Sequence, residues 1–186
     1  MSNIERIDSL EKYKKFINGE KKNIKILVHA CCAPCSSEVL NELSKVCDIT
    51  IYYYNPNTFP HEEYDAEEFL DYIGDVKGLK EGSSRCYKCY DLRLEKTAKK
   101  AKELGYDYFT TTLSISPYKN SNWINEIGLK YSEVYNVEFL YSNFKKNDGY
   151  KKSIILSKEF NLYRQEYCGC RFSLEELKEK EMSKKE

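Results

Sequence analysis

Glycine and proline are scarce in this chain of 186 residues, at 8 and 4, which excludes collagen-like and low-complexity architectures. No apolar run approaches the ~18 residues of a membrane span, and residues 1–23 are charged throughout. The expectation is a cytoplasmic protein with neither a transmembrane helix nor a signal peptide. Net charge is absent as well: 30 Lys+Arg against 30 Asp+Glu argues neither for nor against a polyanionic partner. Internal repeats and linkers are missing. What remains, 41% hydrophobic and 14% aromatic residues over a length suited to one domain, reads as one soluble globular unit.

Charge is segregated along the chain. Residues 62–75 carry seven carboxylates and no Lys or Arg, whereas residues 85–102 carry seven Lys/Arg and two carboxylates. The basic stretch also contains a pair of cysteines.

Branched aliphatics at residues 24–29 predict a buried strand that runs directly into Cys31-Cys32-Ala33-Pro34-Cys35. Pro34 suits the first turn of a helix, and Val39, Leu40, Leu43 and Val46 recur at helical spacing, so these cysteines belong to a strand-to-helix turn. Further strands are predicted at 49–54, 108–113 and 137–141. Helices are predicted at 61–76, from Leu92 to the stop at Gly105, at 121–131 and at 151–163. Strands alternating with helices imply an α/β fold with a doubly wound, mostly parallel sheet, whose ligands bind beyond the carboxyl ends of the strands. Residues 1–173 are expected to form this single α/β domain. Residues 174–186, mostly Glu and Lys, read as a charged C-terminal tail, a solvated helix or frayed end.

Cysteine carries the chemistry. Seven of the eight fall into three groups: Cys31, Cys32 and Cys35; Cys86 and Cys89; Cys168 and Cys170. In a reducing compartment such grouping points to metal binding or redox work rather than a disulfide framework. Cys86 and Cys89 form the clearest chelate, because C-x-x-C directs two thiolates at one metal. The groups lie too far apart for a zinc ribbon, so the site is assembled by the tertiary fold. A cubane iron–sulfur cluster or a closed zinc site uses four thiolates and leaves three over. Those three form either a second metal site with an open position or a redox-active dithiol, and the short loop of Cys168-Gly169-Cys170 suits the latter. Cys47, alone beside the second strand, reads as packing.

The residues that carry these groups resemble the epoxyqueuosine reductases of the QueH type. The resemblance runs through His29-Ala30-Cys31-Cys32-Ala33-Pro34-Cys35-Ser36, Tyr54-Asn55-Pro56-Asn57, Arg85-Cys86-Tyr87-Lys88-Cys89-Tyr90 with Arg93-Leu94, Thr111-Thr112-Leu113 with Ser116-Pro117-Tyr118, and Leu162-Tyr163-Arg164-Gln165-Glu166-Tyr167-Cys168-Gly169-Cys170. It implies a single-domain, Rossmann-like fold related to the adenine nucleotide alpha hydrolases. The implied activity is two-electron removal of the epoxide oxygen from epoxyqueuosine at the tRNA wobble position, the last step of queuosine biosynthesis. The implied cofactor is a [4Fe-4S] cluster on Cys31, Cys32, Cys86 and Cys89. Cys168 and Cys170 are then a redox-active pair or, with Cys35, the ligands of a second, mononuclear iron. The partners implied are tRNA carrying epoxyqueuosine and an electron donor that the sequence does not identify.

A tRNA substrate needs phosphate contacts, and Arg85, Lys88, Arg93, Lys119, Arg164 and Arg171 lie in or beside the cysteine groups as an expected cationic rim. Tyr87, Tyr118 and Tyr163 are placed to stack on an everted base. Tyr163, Glu166 and His29 are candidates to donate a proton to the leaving oxygen, although His29 at the end of an apolar strand reads first as a satisfied core histidine. Two rival readings have their own requirements. A tRNA sulfur transferase of the ATP-pyrophosphatase type needs a glycine-rich phosphate loop, and residues 31–37 contain no glycine. A zinc-binding RNA or protein adaptor needs only the thiols.

Overall fold

The computed structural model describes residues 15–16, 18, 24–57 and 66–184. Four strands form one parallel sheet in the order β2-β1-β3-β4, with β1 at Lys25–Ala30, β2 at Asp48–Tyr53, β3 at Tyr108–Thr111 and β4 at Glu138–Phe139. Between and after them run the helices α1 (Ala33–Leu43), α2 (Ala66–Ile73), α3 (Ser84–Glu103), α4 (Ser121–Tyr135), α5 (Gly149–Glu159) and α6 (Arg171–Met182).

Alternation along β1 explains the two layers of helices. Ile26 and Val28 face α1, packing with Val39, Leu43, Ile115 and Leu140, whereas Leu27 faces the other way, packing with Leu94, Ala98, Phe109, Ile124 and Ile127 of the α3/α4 side. A strand buried on both faces is what a doubly wound parallel sheet requires. β1 leads outward to β2 on one side and pairs with β3 on the other, so the sheet reverses direction at the carboxyl end of β1. Cys31 and Cys32 stand at that point. None of the described helices is long and apolar enough to cross a membrane.

Several element bounds differ from the sequence reading for physical reasons. α3 begins at Ser84 rather than after Cys89, because Arg85, Tyr87 and Lys88 hide the apolar period that marks its later turns. β3 stops at Thr111, whose hydroxyl accepts the Leu113 N–H and turns the chain into a short 3₁₀ segment, Thr112–Ile115. α4 continues to Tyr135, where Asn136 takes a left-handed conformation at its end. β4 is shorter than expected, and α5 runs from Gly149 to Glu159 rather than to Tyr163. The acidic helix starts at Ala66 among the described residues; its expected beginning, 61–65, lies outside them. The charged tail contains the helix α6, beginning at Arg171.

Candidate metal centre and cleft

Three cysteine groups from well-separated segments of the chain meet at the carboxyl edge of the sheet. Cys32 caps α1 from an extended conformation, Pro34 opens the helix, and Cys35 lies in its first turn. Cys86 and Cys89 are three residues apart in the first turns of α3. Cys168 and Cys170 come in from the other side on the loop before α6, and Gly169 between them has φ +92°, a conformation that favours glycine.

α6 is fastened over α3 by Glu176. Its carboxylate accepts hydrogen bonds from the Glu81 backbone N–H at 2.9 Å and from the buried Arg85 guanidinium at 2.8 Å. Phe172 stacks beneath that guanidinium, 4.6 Å from it, and packs with Phe69, Ile73 and Leu92. These contacts hold the Cys168–Cys170 loop against the α3 cysteines.

The thiols divide between two adjoining spaces. An inner cavity of about 30 Å³ is lined by Cys31, Cys86, Cys89, Cys168 and Cys170. A broad cleft of about 980 Å³ is lined by Cys31, Cys32, Cys35 and Cys168 at its floor and by Tyr53, Tyr118, Tyr163 and Arg164 higher up. Four residues line both spaces and stand between them: Cys31, Asn55, Lys119 and Cys168. All eight cysteines are free thiols. Among the described residues no three Cys, His, Asp or Glu side chains converge on a single ion position.

Backbone and side-chain N–H groups point at the sulfurs. Gly82 N–H donates to Cys86 Sγ at 3.3 Å, Arg93 Nε–H to Cys89 Sγ at 3.4 Å, Asn57 Nδ2 to Cys89 Sγ at 3.6 Å and Ser173 N–H to Cys170 Sγ at 3.4 Å. Burial pushes the Cys86 thiol up to about 11 and raises Cys168 and Cys170. Cys31 is also raised, first by its hydrogen bond to Cys32 and then by burial. Cys35 goes the other way: a hydrogen bond from Cys32 pulls its thiol below the ordinary value.

This donor set fits an iron–sulfur cluster. Five thiols around one cavity exceed the four that a cubane uses, N–H···S bonds are among the groups that tune such clusters, and buried cations can offset thiolate charge. The expected ligands Cys31, Cys86 and Cys89 share the inner cavity. Cys32 stands beside them on the cleft side with Cys35, while Cys168 lines both spaces and Cys170 only the inner one.

The expected cationic rim is rearranged by burial. Arg93 is 4% exposed, and its guanidinium donates to Tyr54 O at 2.8 Å, to Asn55 Oδ1, to Asn57 Oδ1 and to Cys89 Sγ. Arg85 is equally buried on Glu176, and Lys88 pairs with Asp75 on the outer side of α3. As the residues stand, neither Arg85 nor Arg93 presents its guanidinium to a phosphate outside. Arg164 and Lys119 do line the cleft. Arg164 donates to Ser153 O and Ser157 Oγ and lies over the Tyr150 ring, while Arg171 pairs with Glu175 on exposed α6.

Tyr118 and Tyr163 are 75% and 81% exposed at the cleft, joined there by Tyr53, whereas Tyr87 packs edge-on against Trp123 away from it. Glu166 lines the cleft too. His29 is fully buried, bonded through Nδ1 to Thr111 Oγ1 at 2.8 Å and through Nε2 to Tyr54 O at 2.9 Å, and burial beside Arg93 lowers its pKa to about 3. It is a neutral core histidine. Cys47 packs against the α1 face of the core and donates to Leu43 O.

Sequence reasoning left out Asn55, Asn57 and Glu176 as site residues. Asn55 and Asn57 could have been found in the Asn55-Pro56-Asn57 turn at the end of β2. Glu176 had no signal, being one of many carboxylates in a charged tail.

Comparison with known proteins gives a consistent set of matches. The sequence profile of the family described as "Epoxyqueuosine reductase QueH" matches residues 26–68 and 61–176. A protein of that name from Streptococcus pyogenes serotype M1 is 41% identical over 182 residues, covering 81% of this chain and 71% of its own. One from Staphylococcus epidermidis is 40% identical over 188 residues, covering 84% and 78%. One from Thermotoga maritima is 38% identical over 188 residues, covering 86% and 96%.

Proposed function

The chain belongs to the epoxyqueuosine reductase QueH family, and from that membership we infer that it is an oxidoreductase that removes the epoxide oxygen of epoxyqueuosine in tRNA. Two electrons and two protons convert the epoxide to an alkene and water, completing queuosine at the wobble position. Both rival readings are set aside by the same membership.

We further propose that the reductase depends on iron and sulfur. Cys31, Cys32, Cys86 and Cys89 would hold a [4Fe-4S] cluster, which when bound supplies electrons one at a time. The single observation that carries this reading is the inner cavity, where thiols from three distant segments meet N–H donors aimed at sulfur. A second centre must supply the remaining reducing equivalent or bind the oxygen. Cys168 serves in either arrangement: as a redox pair with Cys170, or with Cys35 and Cys170 as ligand of a second mononuclear iron.

The chain's own residues supply the rest. The broad cleft admits the anticodon loop, with Tyr118 and Tyr163 as exposed faces on which unpaired bases stack and Arg164 as a cation at its wall. Arg93 holds the turn after β2 and the Cys89 sulfur in fixed relation. Glu176 and Arg85 keep the Cys168–Cys170 loop closed over the cavity, limiting water around the thiols.

The test is direct. Anaerobically purified protein, chemically reduced, is incubated with tRNA carrying epoxyqueuosine, and the digested nucleosides are separated by mass spectrometry. Loss of the epoxide nucleoside with an equal gain of queuosine is expected. Unchanged epoxyqueuosine in the presence of iron-replete protein and reductant would overturn the assignment.

A further inference from the structure

We propose that Lys119 is a catalytic residue of this reaction, its ammonium donating a hydrogen bond to the epoxide oxygen as the C–O bonds break. This rests on the epoxyqueuosine reductase function and goes beyond it by giving a chemical task to a lysine that the sequence placed on a phosphate-binding rim.

The first observation is position. Among the residues common to the broad cleft and the inner thiol cavity, Lys119 is the cation. A nucleoside in the cleft therefore lies among Lys119 and the thiols of Cys31 and Cys168. Asn55, which also lines both spaces, already donates to Cys31 O at 3.1 Å and accepts from Arg93.

The second observation is that the groups facing Lys119 are cysteine sulfurs, those of Cys168, Cys31 and Cys35, and not a carboxylate. Among the described residues Lys119 forms no ion pair with a carboxylate, in contrast to Lys88, Lys96, Lys100, Lys130, Lys151 and Lys152, which all do. Its ammonium makes no hydrogen bond to any described side chain, although its backbone is fixed on both sides: its N–H donates to Ser116 O at 3.3 Å and its carbonyl accepts from Lys145 Nζ at 2.7 Å. This half-buried ammonium therefore stands beside the thiols with its N–H donors uncommitted to any carboxylate, where they can meet charge that develops on a bound substrate.

The third is chemical need. Reductive opening breaks both C–O bonds, places two electrons in the new C=C bond and oxygen lone pairs, and releases oxygen as water after uptake of two protons. The electrons come from the reductant of the reductase reaction and the protons ultimately from solvent. Negative charge gathers on the oxygen as the bonds break. A pre-positioned N–H donor in a site shielded from water stabilises that charge far more than the ground-state epoxide.

The test compares Lys119→Met and Lys119→Arg with the wild type, using tRNA carrying either epoxyqueuosine or queuosine. Lys119→Met is expected to lower kcat by about 10²–10³-fold. It should leave the affinity for both tRNAs close to that of the wild type, because the interaction forms as the bonds break, and iron and sulfide content should stay at wild-type levels. Lys119→Arg, retaining the charge and donors, should recover part of kcat. Equal weakening of both tRNAs with a salt dependence reduced by about one phosphate contact would make Lys119 a phosphate ligand and overturn the proposal. Loss of iron in both variants would make it a builder of the thiol cavity and would overturn the proposal as well. The variant comparison separates this claim from the reductase function: a wild type that turns over epoxyqueuosine beside a Lys119→Met that keeps the wild-type kcat contradicts Lys119 alone, whereas a wild type that turns nothing over contradicts the reductase function.

Discussion

In the inner cavity, Cys86 and Cys89 ride on a twenty-residue helix and their sulfurs receive N–H groups, whereas Tyr118 and Tyr163 at the outer cleft stand outside helices and strands with most of their surface in water. Cys31, Asn55, Lys119 and Cys168 belong to both spaces. A site that must hold a metal group through redox change benefits from ligands whose positions are set by helices and buried hydrogen bonds. A site that must accept a flexible RNA loop benefits from exposed aromatic faces that can adjust. The molecule places the first beneath the second, and Lys119 at the join.

The largest effect that this division predicts is loss of an α3 thiol. Cys86→Ala or Cys89→Ala should leave protein from which iron and sulfide no longer co-purify and whose turnover is undetectable, while tRNA binding persists; metal analysis beside a filter-binding assay checks it. Full iron content in either variant would mean that the cavity does not depend on α3.

Arg93→Met comes next. It strips Asn55 Oδ1 and Asn57 Oδ1 of the Arg93 donor and leaves Tyr54 O with His29 Nε2, for an expected loss of about 3 kcal/mol of folding stability in the metal-free protein, read from urea denaturation. Lys at this position should not restore it, because one ammonium cannot reproduce the planar fork of donors.

On the cleft side, Tyr118→Ala and Tyr163→Ala should each weaken tRNA binding by roughly 1–3 kcal/mol per ring lost, with iron content and stability unchanged. A change in iron content instead of affinity would erase the distinction between the two spaces.

The smallest effect concerns the fastening between them. Glu176→Gln weakens the pair with Arg85 and should open the Cys168–Cys170 loop. In metal-free protein those two thiols should then be alkylated about 5- to 30-fold faster, with Cys86 and Cys89 unaffected. Unchanged alkylation of Cys168 would show that Phe172 packing alone holds the loop.

Legibility in the sequence followed the same line. The β1 strand, the Cys31–Cys35 turn with Pro34 and the alternation of strands and helices were readable, since each depends on local pattern. The orientation of the arginines was not. Arg85, Cys89 and Arg93 recur every four residues on α3 and so share a face, yet the pattern does not say whether that face meets solvent or thiols. The structure turns it inward, where Glu176 from α6 and the Asn55-Pro56-Asn57 turn meet it. Those partners come from segments 38 residues before and 91 after, distances over which sequence pattern carries no register. The charged tail was misleading for a similar reason: a helix rich in Glu and Lys looks wholly solvated, and one carboxylate with a buried partner does not stand out.

Anaerobic purification of the full chain, with iron, sulfide and zinc measured per chain and absorbance followed on adding dithionite, tests the inner cavity most directly. About four irons and four sulfides, bleached by the reductant, are the predicted result, and iron in excess of sulfide would point to a second centre. Zinc without sulfide in protein kept from oxygen would contradict the account.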